Sequence, residues 1–313
     1  MSVSAPSRPA ATRGGAGPSR RRRVSGSQNR TGWAFALPFV IVFSIFMMIP
    51  LVSSFLMSFT DITSRDTDNV FGVNVIGFEH YASLFNNPQF LRSMLNTAYF
   101  VVIGIPLTLG VGLALAVALN SGISRFRTAF RVGFYVPVVT SIVAVAVVWR
   151  FILQDDGLIN SALALVGIDG PNWLHDPAWS MPAMILLAVW RNAGTVMIIC
   201  LAGLQSVPSE VLEAGMVDGA SAWTRFTRIV MPIMRPTLLL AAILLSVGYL
   251  QFFDEPFVMT QGGPLGSTLS VTYFTFNQFG FGNYGLASAA SYVLFVAIAL
   301  LSLIQFRVFR SKD

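Results

Sequence analysis

Residues Pro208 to Pro232, PSEVLEAGMVDGASAWTRFTRIVMP, form the one long polar interlude between apolar runs that also carries helical periodicity. Pro208 suits the first turn of a helix, where its missing N–H is no loss, and Glu210 then sits at the positive end of the helix dipole. Asp218-Gly219 marks a turn, because Gly takes φ > 0 just past a helix end, and Ser221 is an N-cap for a second helix through Val230. The expected unit is helix, tight turn, helix. Leu212, Met216, Trp223, Phe226 and Val230 recur at roughly helical spacing and form the expected apolar face, which leaves Glu210, Asp218, Arg225 and Arg228 for water. An amphipathic hairpin set between apolar runs belongs to a helical membrane protein. By pattern alone it is either an anchor lying on the lipid surface or an element that meets a partner.

Composition points the same way. At 313 residues, with 54% hydrophobic and 11% charged residues and a mean hydropathy of +0.68, the chain is too apolar and too poor in charge for an ordinary soluble domain. Apolar runs at 33–57, 97–119, 132–153, 181–204, 237–253 and 285–306 are each long enough to cross a bilayer or nearly so. An all-α, polytopic membrane domain of six transmembrane helices over 31–313 is expected, with the hairpin inside a loop at 206–236. The first run, Trp33 to Met57, exceeds the ~7–15 residues of a signal-peptide core and no small-x-small cleavage pattern follows, so it is read as a retained span. Residues 1–30, rich in Ser, Pro, Gly, Ala and Arg, cannot bury a core and are expected to be a disordered basic tail. Gly110, Ala114 and Ala118 in the second run, and Gly285 and Ala289 in the sixth, are small-residue faces suited to close helix packing.

Charge orients the spans. With the tail inside, the inner segments hold Arg8, Arg13, Arg20 to Arg23, Arg30, Arg125, Arg127, Arg131, Arg225, Arg228, Arg235, Arg307, Arg310 and Lys312, sixteen of the twenty basic residues. Arg65, Arg92, Arg150 and Arg191 fall elsewhere, and the outer segments carry the acidic majority. Both termini and the hairpin are therefore expected in the cytoplasm. The tail arginines are read as topogenic, with attraction to anionic lipid in addition and no nucleic-acid partner. Cys200 is the single cysteine and His80 and His175 stand in separate loops, so no disulfide and no zinc-binding spacing arises. Lys312 is the only lysine, so a phosphate-binding loop that ends in Gly-Lys-Ser/Thr is absent, and if the protein works on ATP the energy has to arrive from another polypeptide.

Trp190, Arg191 and Asn192, followed by Ala193-Gly194, interrupt the fourth run with polarity, and an Arg at mid-span is costly unless it meets water or a partner. A broken, solute-facing helix is one reading; an Arg tied to a neighbouring span for packing is the other. The fifth run ends Tyr249-Leu250-Gln251-Phe252-Phe253-Asp254, where Tyr249, Gln251, Phe253 and Asp254 combine aromatic faces with polar groups. That mixture suits a sugar and equally a membrane-interface belt. An ion-coupled transporter would need carboxylates inside the spans, and only Asp254-Glu255, at a span end, come near this. A membrane enzyme using the Asp155-Asp156 pair is a remote third class.

Glu213-Ala214-Gly215, three residues, Gly219, nine residues, Ile229, one residue and Met231-Pro232 resemble the E-A-A-x3-G-x9-I-x-L-P loop of ABC importer permeases, with Gly215 for Ala and Met231 for Leu as departures. Thr260-Gln261-Gly262-Gly263-Pro264, Tyr284-Gly285-Leu286-Ala287-Ser288-Ala289, Gly77-Phe78-Glu79-His80-Tyr81 and Asn96-Thr97 are similar to segments of carbohydrate permeases, with His80 for the usual Asn. The resemblance, to the maltose-permease-like group of type I importers, runs from about Trp33 to the C-terminus. It implies a prokaryotic plasma-membrane subunit that imports a sugar or oligosaccharide, with a second permease subunit, two ATPase subunits and an extracytoplasmic substrate-binding protein as partners. ATP and Mg would be held by the ATPases and no cofactor by this chain. Glu213, Ala214, Gly215, Asp218, Gly219, Ile229 and Pro232 would couple to the ATPase; import of a non-sugar solute such as a glycerophosphate is the alternative.

Overall fold

A computed structural model describes residues 26–66, 72–121 and 126–309. The arginine run Arg20 to Arg23, and Arg125, Arg310 and Lys312, lie outside these residues. The chain forms two units, Met1–Val52 and Ser53–Asp313. In the first, helix α1 (Gly26–Phe43) is followed by a π-helical turn, Ser44–Met48, and the start of α2 (Ile49–Met57). Pro50 has no N–H to return to the carbonyl of Phe46, and the turn before it widens accordingly. Helix begins at Gly26, so the last residues of the expected tail, Gly26 to Arg30, are helical here. Extending a helix backwards from an apolar run avoids the cost of a new nucleus. Trp33, Phe35, Phe39 and Phe46 are all exposed within the chain, as suits a helix surrounded by lipid or by another subunit.

The second unit holds the core. Helix α3 (Glu79–Asn86) leads to α4 (Pro88–Ser121), where the Asn87 side chain accepts from the amides of Gln89 at 2.9 Å and Phe90 at 3.3 Å, with Pro88 in the first turn. Then follow α5 (Arg127–Val139), α6 (Ile142–Ile152), α7 (Leu158–Ala164) and α8 (Pro177–Gln205), the last started by Asp176 accepting from the Ala178 amide at 2.8 Å. The hairpin helices α9 (Ser209–Val217), α10 (Ala222–Arg225) and α11 (Met231–Ile233) precede α12 (Arg235–Leu250), α13 (Asp254–Met259), α14 (Val271–Gly280) and α15 (Tyr284–Phe309). Among the described residues five helical segments are long and apolar enough to span a bilayer, and the bent pair α5–α6 makes a sixth. The expected all-α, six-span class is present.

Two expectations about the spans are corrected, and a bend in the third span is added. The close-packing stripe of α4 is Gly104, Thr108, Gly112 and Ala116, all buried, whereas Gly110, Ala114 and Ala118 are exposed. A Cβ on Gly112 would stand 2.5 Å from Val196 Cβ of α8, and one on Gly104 would stand 2.6 Å from the Tyr249 ring of α12. Gly110 and Gly112 lie ~200° apart around a helix, so sequence spacing alone could not choose between the two stripes. Gly285 and Ala289 are buried as expected.

The third span is bent by 98° between α5 and α6. Thr140 and Ser141 take extended backbone angles, and Thr140 Oγ1 donates to the Val136 carbonyl at 2.8 Å. Pro137, which has no N–H for the carbonyl four residues back, and the β-branched residues around it make this a weak stretch of helix that hydropathy does not reveal. The fourth span, in contrast, is unbroken: α8 runs through Trp190 to Gly194, and Asn192 donates back to the Ala188 carbonyl at 2.9 Å. Polarity interrupts it; backbone geometry does not. Gly194 is needed there for contact, because a Cβ would run into the Phe134 carbonyl oxygen of α5.

The Thr260 to Pro264 loop is tied to the start of α4. Asn96 donates to the carbonyls of Gly266 at 2.8 Å and Leu269 at 3.0 Å, and Thr97 Oγ1 accepts from the Val271 amide at 3.1 Å. Two segments more than 160 residues apart in sequence thus close one layer of the bundle.

Candidate functional site

Between α8, α12 and the start of α13 lies a cavity of about 180 Å³ lined by Arg191, Asn192, Tyr249, Gln251, Phe252, Phe253, Asp254 and Glu255, with Phe100 of α4 and Ile142 of α6. Six of the seven residues expected from sequence to line a solute pathway meet here. Trp190 does not: it turns to the other side of α8, packs on Trp149 with ring centroids 5.5 Å apart, and borders a separate groove of about 410 Å³ against Phe130, Phe134 and Pro137. Arg191 and Asn192 share the face of α8 that lines the cavity, and Trp190, ~200° round the helix from Asn192, falls on the other side.

The walls are rigid and mixed in character. Thr108 donates to the Gly104 carbonyl at 2.8 Å, which uses its only proton, so the 2.6 Å contact with Tyr249 is a hydrogen bond from the phenol to Thr108 Oγ1. Phe100 stacks on Phe252 at 4.0 Å and tilts against Tyr249 at 4.9 Å. Phe253 also belongs to an aromatic cluster with Phe257, Tyr273 and Phe276. The helix pauses over Gln251 to Phe253 before α13, so the broken span that borders the polar cavity is the fifth and not the fourth. Glu255 is the residue sequence reasoning missed. The sequence places it with Asp254 at a span end and outside the candidate solute-pathway residues, yet it is buried. The stripe Leu245, Tyr249, Phe252 and Met259 continues at helical spacing past Asp254 and was the available signal. Arg191 Nε is buried with no hydrogen-bond partner among the described residues.

The hairpin is built from its backbone outward. The Gly219 amide donates to the Met216 carbonyl at 3.0 Å and the Ala220 amide to the Gly215 carbonyl at 2.9 Å, with Gly219 at φ +75°. That is the paired-bond helix ending for which a left-handed residue is required. Ser221 then accepts from the Thr224 amide at 3.2 Å, so a second helix starts two residues after the first turn closes. Arg225 donates to the Ala220 carbonyl at 3.0 Å and ties the tip together. A π-helical turn, Phe226–Val230, precedes Pro232, whose missing N–H again explains the widening.

Leu212, Phe226 and Met231 pack on the main core and Val230 is buried, as the apolar face requires. Met216 and Trp223, assigned to the same face, are exposed, and Trp223 is 73% exposed. The sharp turn breaks the periodicity between the two helices, so one helical wheel cannot describe both. Glu213, Ala214, Asp218 and Gly219 are exposed, Pro232 likewise, while Gly215 is buried against Ile229. A Cβ at Gly215 would lie 2.9 Å from Ile229 Cδ1, the movable end of a side chain. Gly215→Ala is therefore expected to be accommodated and to stabilise α9 by up to ~1 kcal/mol, read as a small rise in the thermal midpoint. A fall in the midpoint would mean that the Ile229 contact is rigid.

A bundle of membrane-length helices around a polar cavity, with a structured hairpin between two of the lining helices, defines a polytopic membrane transport subunit. Residues 108–311 match the family described as "Binding-protein-dependent transport system inner membrane component". The chain is 33% identical to the lactose transport system permease protein LacF of Rhizobium radiobacter over 90% of its length and 94% of the relative's. It is 29% identical to the trehalose/maltose transport system permease protein MalF of Thermococcus litoralis, over 90% and 95% of the two chains. Its fold matches a chain from the crystal structure of a bacterial ABC transporter that imports the acidic polysaccharide alginate, with a TM-score of 0.77, 25% identity and coverage of 91% and 96%. This chain belongs to the binding-protein-dependent transport system inner membrane component family, and is a multi-pass inner-membrane protein.

Proposed function

We propose that this chain is the permease subunit of an ATP-driven importer for a sugar or oligosaccharide handed over by an external binding protein. The observation that carries the reading is connectivity. Helices α8 and α12 form two walls of the polar cavity, and the hairpin is the chain segment that joins them, with Val230 and Met234 seated in the core at its base. Movement of the hairpin is transmitted to both walls without an intermediate element.

In this reading Glu213, Ala214, Asp218 and Gly219 face a cytoplasmic ATPase subunit, and Gly215, Ile229 and Pro232 set the shape of the contact. The bare apolar side chains at the tip, Val217 at 89% exposure and Trp223, suit a protein cleft better than water. Both termini lie in the cytoplasm, on the side favoured by the basic residues. The cavity is smaller than the ~300–1,000 Å³ usual for a small-molecule site, so a second permease subunit supplies the opposite wall of the passage, and two ATPase subunits supply ATP hydrolysis with Mg. The relatives named for lactose and trehalose/maltose transport support a saccharide as cargo, and an alginate importer solved with its pentasaccharide-bound periplasmic protein supports delivery by a binding protein. Arg191, Asn192, Tyr249, Gln251, Phe253 and Asp254 contact the solute as it passes; Trp190 stands outside the passage.

The test is uptake of labelled saccharides into proteoliposomes that contain the assembled transporter, its binding protein and enclosed ATP. Saccharide uptake that needs both ATP and binding protein is expected. Uptake that runs on an ion gradient without ATP would remove this reading and restore the ion-coupled alternative.

A further inference from the structure

We infer that the cavity between α8, α12 and α13 selects an uncharged saccharide and rejects acidic ones, with Glu255 as a solute-contacting acceptor opposite Arg191; this rests on the reading of the cavity as the solute passage. Glu255 is only 8% exposed, yet it lines the same cavity as Arg191. Arg191 keeps a buried Nε without a hydrogen-bond partner among the described residues, so that donor is not spent on Glu255. A buried acid and a half-buried base that share a cavity, the base with a buried donor left unpaired, are arranged for a third group between them.

The charge inventory names the class of that group. The ionisable side chains that line the cavity, apart from the Tyr249 phenol, are Arg191, Asp254 and Glu255. With both carboxylates ionised the lining carries one net negative charge, and with Glu255 protonated it carries none. In neither state is there surplus positive charge to hold a uronate or a phosphate, and an anion that approaches Arg191 also approaches Asp254. A neutral sugar fits both halves of the inventory. Each hydroxyl donates one hydrogen bond and accepts others on its lone pairs, so Glu255, Asp254 and the amide oxygens accept from the sugar while the N–H groups of Arg191, Asn192 and Gln251 donate to it. Phe100, Phe252 and Tyr249, packed on one another, give the cavity an apolar side for the C–H groups of the ring.

The experiment uses the assembled transporter with a thiol placed in the cavity. Gly248 lines it and a Cβ there meets nothing within 4 Å, so Gly248→Cys in a Cys200→Ser background gives one reporter. Maleimide labelling is followed with lactose and maltotriose as neutral probes and trigalacturonate and trimannuronate as acidic ones. A neutral probe is expected to slow labelling at least about fivefold and the acidic probes less than about twofold. Acidic probes that protect as well as neutral ones would overturn the charge argument. Protection by no saccharide, with uptake of a non-saccharide solute, would remove the passage reading itself. Glu255→Gln should raise the neutral-probe concentration for half-protection by about tenfold or more, with the thermal midpoint unchanged. An unchanged half-protection concentration would remove Glu255 from the contact.

Discussion

Glu213→Lys is expected to reduce ATP-driven uptake by at least about thirtyfold while the protein inserts, accumulates and unfolds as the native chain does. The side chain is exposed on α9 and makes no hydrogen bond among the described residues, so reversing its charge should change the chain's own stability by no more than ~0.5 kcal/mol. At an interface the accounting differs. Losing one partner of a buried, hydrogen-bonded charge pair costs ~2–5 kcal/mol, and each ~1.4 kcal/mol is a factor of ten. Quantitative membrane immunoblotting and a thermal scan establish abundance and folding; uptake and co-purification of the ATPase report coupling. Full uptake by Glu213→Lys would detach the hairpin from the ATPase contact. A loss of abundance in step with uptake would make Glu213 a folding residue.

Arg191→Ala is expected to raise the solute concentration for half-maximal uptake by about ten- to a hundredfold, the effect of ~1.5–3 kcal/mol for a hydrogen bond from a charged donor. Its Nε has no hydrogen-bond partner among the described residues, so truncation breaks no bond at that atom. Arg191→Lys separates charge from geometry. A lysine keeps the cation but not the planar fork of donors, so uptake should fall between the native and alanine values. A lower thermal midpoint with half-maximal uptake unchanged would assign Arg191 to packing alone.

The hairpin was legible almost to the residue. Gly219 as a left-handed turn and Ser221 as an N-cap are local matters of backbone conformation and nearby amides, and both stand in the structure as expected. The spans were legible as apolar runs, with boundaries displaced by the start signals at Asn87-Pro88 and Asp176-Pro177. The cavity was legible in part. Arg191, Asn192, Tyr249, Gln251, Phe253 and Asp254 were picked out because polar groups within apolar runs need a reason to be there. Trp190 was included by adjacency and Glu255 left out by position, since one sequence separation corresponds to different faces depending on where a helix ends.

By itself the sequence determined that the chain is helical, crosses a membrane about six times, carries a turn-and-cap hairpin between its fourth and fifth apolar runs and has no lysine for a phosphate-binding loop. These follow from composition, run length and neighbour-to-neighbour stereochemistry, which need no distant contact. Only the tertiary structure decided which stripe of α4 packs, that the third span bends and the fourth does not, and that Glu255 shares a cavity with Arg191. Each of these depends on the rotation of one helix against others brought together from far along the chain. Apolar periodicity marks which side of a helix is buried, but the partner that buries it is chosen by the whole bundle.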